Sequence, residues 1–163
     1  MLEHLDFSDA KDVDSVRRQI AAMVSSGRIT SLQAECVDVG AIEWLMRQDI
    51  GSLLRANSDK LLREVPVYFS MDSEGGSVDP MDQIMVRGRL DLLIPVGDEF
   101  VIVDYKTDRV NGEEVEQRVE TYRGQLQLYA KAIQRITGKN IAQAILVFLH
   151  PREIRRLTSQ RRP

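Results

Sequence analysis

The order of patterns along the chain predicts an α/β fold with a mixed central sheet flanked by helices. Three observations carry this prediction. Helical periodicities fill the chain up to residue 56, three strand-like segments follow between residues 61 and 106, and a long helical pattern then precedes a last apolar strand. Such an order gives an α/β sandwich whose sheet is antiparallel at first and gains a strand by a crossover. With 163 residues and 43% hydrophobic side chains, the chain reads as a single domain over 1–163 with one core.

The elements follow from local pattern. Val13, Val16, Ile20 and Val24 recur at helical spacing, so Asp12–Ser25 reads as the first helix, ended by Ser25-Ser26-Gly27. Thr30 or Ser31 caps a second helix running to about Asp49, with Leu32, Val39, Ile42, Leu45 and Met46 on its buried side. A short helix over Ile50–Ala56 leads to a strand at Leu61–Ser70, where Pro66 argues for an edge or a bulge. The segment MDSEGGSVDPMDQ reads as a polar loop in which Asp72, Glu74, Asp79 and Asp82 are solvated. Strands at Ile84–Pro95 and Glu99–Lys106, a helix from Glu113 to Thr137 stopped by Gly138, and a strand at Ile141–His150 complete the series.

Composition excludes several classes of function. No apolar run approaches the length needed to span a bilayer and no signal peptide opens the chain, so a soluble, cytoplasmic protein without a membrane partner is expected. The lone Cys36 excludes an intrachain disulfide or a multi-cysteine metal site, and reads as a buried structural thiol in a helix. Net charge is −3, but the 151–163 tail is basic, with Arg152, Arg155, Arg156, Arg161 and Arg162. That tail reads either as a solvated terminus or as an arm contacting phosphates.

The chemistry concentrates in Gly88–Asp108, GRLDLLIPVGDEFVIVDYKTD. Alternation along the strand puts Phe100, Ile102, Asp104 and Lys106 on one face and Val101, Val103 and Tyr105 on the other. Apolar residues on both faces make this a central strand, so Asp104 and Lys106 sit where an uncompensated charge is costly. If Gly97-Asp98 forms a two-residue hairpin turn, paired residues sum to 195 and Asp91 lies opposite Asp104. Two facing carboxylates call for a cation, and oxygen ligands without cysteine favour Mg²⁺ or Mn²⁺. A lysine beside such a pair suits phosphodiester hydrolysis: the metal activates water while Lys106 orients it and stabilises developing charge. The bland alternative is a structural ion pair between Asp104 and Lys106.

The motifs GRLD (Gly88–Asp91), VDYKTD (Val103–Asp108) and YRGQLQLY (Tyr122–Tyr129) resemble the RecB-like branch of the PD-(D/E)xK nucleases, and most of all the C-terminal nuclease domain of AddA-type helicase–nucleases. The resemblance runs from about Leu2 to Leu149. It implies a restriction-endonuclease-like core, with Asp91, Asp104 and the Tyr105 backbone carbonyl as metal ligands and Lys106 as the catalytic lysine. It further implies that Gln125 and Tyr129, the Q-x-x-x-Y pair, support the site and the DNA. Glu64 matches a glutamate–proline segment whose role is mainly structural. Helical spacing agrees: Val115, Val119, Tyr122, Leu126, Tyr129, Ile133 and Ile136 form a stripe facing the sheet, with Gln125 on the same side.

The chain departs from that family at its start. A metal-ligating histidine belongs in a first helix just before the stretch like Leu2–Phe7, and His4 matches a neighbouring position instead. The expectation is a domain excised from a larger protein. His150 reads as structural. The resemblance implies an Mg²⁺-dependent exonuclease acting in bacterial double-strand-break repair, fed single-stranded DNA by a helicase domain of the same parent chain beside a partner helicase–nuclease subunit near the nucleoid. The alternatives are an inactive nuclease-fold module that holds DNA or protein, and a stand-alone exonuclease.

Overall fold

The computed structural model describes residues 1–72 and 83–158. A 3-10 turn at Leu2–His4 precedes α1 (Val13–Ser25), α2 (Ser31–Glu35), α3 (Val39–Arg47) and α4 (Asp49–Ala56). Then come β1 (Leu62–Asp72), β2 (Gln83–Val96), β3 (Glu99–Lys106), α5 (Glu113–Thr137), β4 (Asn140–Phe148) and β5 (Glu153–Thr158). The five strands form one sheet in chain order, antiparallel except where the α5 crossover makes β4 parallel to β3. The mixed sheet flanked by helices is the expected one.

The helix starts are fixed by side chains. Asp12 accepts a 2.7 Å hydrogen bond from the Ser15 amide while the Ser15 hydroxyl accepts one of 3.0 Å from the Asp12 amide, a closed capping box on α1. Thr30 and Gln33 do the same for α2. The single helix expected from Thr30 to Asp49 is broken instead. Asp38 leaves the helical conformation and caps the Ala41 amide, starting α3 anew. The break leaves α2 without a buried residue, so Leu32 is 71% exposed rather than core. Cys36, at the end of α2, is likewise exposed rather than a buried thiol.

The β2–β3 hairpin closes as the turn chemistry requires. Val96 pairs with Glu99, and Gly97 takes φ 59°, which glycine tolerates without strain. Leu92 pairs with Val103 and Leu93 with Ile102, so the expected register holds. Central β3 is buried on both faces from Phe100 to Asp104. β1 is an edge strand, which accommodates Pro66. Gly138, at φ 71°, ends α5 as expected.

Part of the basic tail is not a tail. Residues 153–158 pair with β4 as an edge strand, with Ile154 and Leu157 packing on opposite faces of the sheet. Arg155 is bonded to Glu116 at 2.7 Å and Arg156 to Asp49, so carboxylates of this chain occupy them. Arg161, Arg162, Glu74, Asp79 and Asp82 lie outside the described residues.

The sheet separates two cores. α1, α3 and α4 pack with Leu92, Ile94, Val101, Val103, Ile145 and Val147 on one side. α5 covers Leu90, Leu93, Phe100, Ile102, Leu146 and Phe148 on the other, although Ile136, in its last turn, is 61% exposed instead of completing the stripe. No helix among the described residues is long and apolar enough to cross a membrane.

Candidate active site

The site forms where β2 leaves its neighbours. Leu90 packs in the α5 core and Leu92 in the opposite one, although residues two apart in a regular strand share a face. β1 changes sides at the same level: Arg63 stacks on Phe7 of the first core, 4.7 Å from its ring centroid, while Val65 packs in the second. Glu64, between them, takes φ 51°, rare for a residue with a side chain, and the rung it would form with Asp91 is missing from the ladder.

Asp91 therefore stands at a double face change. Its Oδ2 accepts a 2.8 Å hydrogen bond from the Tyr105 amide, just past the last β2–β3 rung at Leu92–Val103. The β2–β3 ladder has no rung between Asp91 and Asp104, and the Asp91 carboxylate serves the Tyr105 amide where the strands part. Burial raises the Asp91 carboxyl above the ordinary carboxylate value; the Tyr105 amide opposes this and the neighbouring Asp104 adds to it.

Asp104 is 3% exposed. Burial raises its carboxyl too, against the pull of Lys106. Lys106 Nζ lies 2.5 Å from Asp104 Oδ2, a charge-assisted contact between two largely buried groups. Two desolvated carboxyls that raise each other's cost, with only one ammonium between them, fit a divalent cation, and Mg²⁺ keeps several waters as ligands. Among the described residues no group of three or more His, Cys, Asp or Glu side chains gathers around the pair. The remaining ligands would be a backbone oxygen and water.

Lys106 has a second neighbour that the sequence did not disclose. Its ammonium lies 3.9 Å from the centroid of the Tyr122 ring, a cation–π contact. The Tyr122 hydroxyl donates to Asp108 at 3.1 Å, and Arg118 Nε is 3.5 Å from the same carboxylate. Asp108 and Tyr122 stood in the motifs, but a contact between a strand end and a helix sixteen residues on is not encoded by spacing alone.

Gln125 is exposed at the rim of the α5 stripe, and its amide donates to the buried Tyr129 hydroxyl at 2.9 Å. The Tyr129 ring lies so close to Gly88 that a Cβ there would collide with the hydroxyl and two ring carbons. The glycine of GRLD is thus fixed by the tyrosine of the helix.

On the other side of the sheet a cavity of about 480 Å³ opens over Asp91, lined by Glu64, Arg63, Tyr105, Arg109, Phe7 and His150 among others. Of these, Tyr105 has its hydroxyl buried. His4 is on the surface, 3.4 Å from Glu3.

The model of the PD-(D/E)XK nuclease superfamily matches residues 10–162. The chain belongs to that superfamily. Asp91 stands on β2 and Asp104-Tyr105-Lys106 ends β3. The same PD-(D/E)XK chain is 33% identical over 155 residues to the ATP-dependent helicase/nuclease A-subunit of Carboxydothermus hydrogenoformans, covering 91% of this chain and 13% of that protein. The A-subunit proteins of Ligilactobacillus salivarius, at 33% identity over 91% of this chain, and Clostridioides difficile, at 30% over 88%, are similar to it as well. The chain spans only 12–13% of the length of these relatives.

Proposed function

We propose that this PD-(D/E)XK nuclease is a metal-dependent DNA nuclease that hydrolyses phosphodiester bonds with an activated water. The observation carrying this reading is the pair of desolvated carboxyls, Asp91 and Asp104, at the parting of β2 and β3, with the Lys106 ammonium 2.5 Å from one of them. Asp91, Asp104 and the Tyr105 backbone carbonyl would hold Mg²⁺ or Mn²⁺. A cation held there supplies Lewis acidity and lowers the pKa of a bound water. The chain's own groups do the rest. Lys106 offers protons of its ammonium to negative charge developing on the phosphoryl oxygens. Tyr122 and Asp104 hold that ammonium in place, while Gln125 and Tyr129 fix α5 against Gly88 beneath the strand carrying Asp91. Water's oxygen joins phosphorus as one P–O ester bond breaks, and the leaving oxygen takes a proton.

The similarity to the helicase/nuclease A-subunit proteins supports the wider proposal: exonucleolytic processing of DNA ends in cytoplasmic, nucleoid-associated break repair, on a single strand fed by a helicase domain of the parent chain together with a partner helicase–nuclease. The test is degradation of linear DNA with Mg²⁺ or Mn²⁺, alongside Mn²⁺ binding by calorimetry. Asp104→Ala loses both cleavage and Mn²⁺ binding, whereas Lys106→Ala keeps Mn²⁺ binding and loses cleavage. Cleavage by either variant at the parent rate would overturn the assignment.

A further inference from the structure

Among the described residues, the part of the β1–β2 ribbon beyond Leu90 is covered on one face only. Val67 and Leu90 are buried beneath α5, and Gly88 meets Tyr129 on the same face. The other face bears Tyr68, 54% exposed, and Met85, 72% exposed. Tyr68 pairs across the strands with Arg87, and Pro66 with Arg89, so alternation places these side chains together. The Arg87 guanidinium lies over the Tyr68 ring, 5.2 Å from its centroid, and Arg87 and Arg89 are both exposed.

We propose that this open face is a binding track for single-stranded DNA, with Tyr68 as a platform on which a base stacks and Arg87 as its cationic neighbour. This rests on the nuclease reading and says by which surface the strand approaches. An exposed tyrosine flanked by arginine suits unstacked bases with phosphates between them, because every base offers a π-face and every linkage a negative charge. A duplex keeps its base faces stacked and cannot use such a platform. The arginines stand out on a chain whose net charge is −3.

The position also fits. From Arg87 to Asp91 is four residues along β2, about 13 Å at the usual strand rise. Arg89 Nη1 bonds Glu64 at 3.0 Å, and Glu64 lines the cavity over Asp91. The track therefore runs toward Asp91 on the side of the sheet where that cavity opens.

The test is fluorescence anisotropy of labelled oligo(dT) with the intact chain in EDTA, where cleavage is silent. Tyr68→Ala and Arg87→Ala weaken binding about tenfold, while Tyr68→Phe, which keeps the ring, binds like the parent. Leu32→Ala, at an exposed position elsewhere, binds like the parent too. Circular dichroism checks that each variant is folded. The proposal is overturned if Tyr68→Ala and Arg87→Ala bind as the parent does, if the parent binds no oligo(dT), or if duplex binds as tightly as single strand. It is equally overturned if Tyr68→Ala alters only self-association in sedimentation, which would make the face a protein contact. Asp104→Ala separates the two readings: cleavage by that variant sinks the catalytic assignment, and its oligo(dT) affinity leaves the track to be judged on Tyr68 and Arg87.

Discussion

The ammonium of Lys106 lies 3.9 Å from the centroid of the Tyr122 ring, so an aromatic face as well as Asp104 holds the lysine. The ring is in turn anchored by Asp108, to which its hydroxyl donates at 3.1 Å. Tyr122 is thus a positioning residue for the proposed hydrolysis.

Replacing Tyr122 separates ring from hydroxyl. Tyr122→Phe keeps the aromatic face and should retain most activity. Tyr122→Leu removes it and should lower kcat about three- to thirtyfold with little change in KM, the span of a desolvated cation–π contact. Steady-state kinetics on a labelled strand decide this, and an equal loss in both variants would place the effect in the Asp108 hydrogen bond instead.

Burial raises the Asp91 carboxyl above its ordinary value of 3.8, so the folded chain holds that proton to higher pH than the unfolded chain does. Its contribution to stability is therefore complete below the ordinary value and is lost as pH rises through the raised one. Asp91→Asn has no charge to bury and can still accept from the Tyr105 amide. In EDTA its melting temperature should exceed the parent's by a margin that widens with rising pH and closes in acid. Mg²⁺ should narrow the margin by stabilising the parent. A gap independent of pH would contradict this account.

Gly88→Ala drives a methyl group into the Tyr129 hydroxyl and ring. Overpacking of this kind costs about 1–3 kcal/mol. Thermal melting should show the loss, and Tyr129→Phe in the same chain should recover only part of it, because two ring carbons remain in the way.

Arg155 and Arg156 are bound to carboxylates on the surface, which makes them structural in a modest way. Arg156→Ala should change stability by no more than about 1 kcal/mol. It should also leave DNA affinity and its salt dependence as they are, in contrast to a phosphate-contacting arm. A reduced salt slope would restore the arm reading for this position.

Much of this was legible in the sequence because it was written in local chemistry. The Gly97-Asp98 turn set the β2–β3 register, the apolar alternation of Phe100–Tyr105 placed β3 at the centre, and Gly138 marked the end of α5. What escaped was what depends on departures from period. Asp38 broke a helix that hydrophobic spacing alone continued, and β5 was masked by arginines around Ile154 and Leu157. At the candidate site, the sequence pointed to residues but not to their contacts. Asp91 bonds the Tyr105 amide only because β1 and β2 both exchange faces beside it, and no single-strand pattern announces an event shared by two.

That shared exchange has a mechanical consequence. Above it the ribbon belongs to the layer under α5; below it, to the layer under the N-terminal helices. The same two strands fasten both halves, like a strap passed through a buckle, so neither layer can loosen without pulling on the other. Unfolding should then follow one cooperative transition, with the acidic pair at the point where the strain is shared.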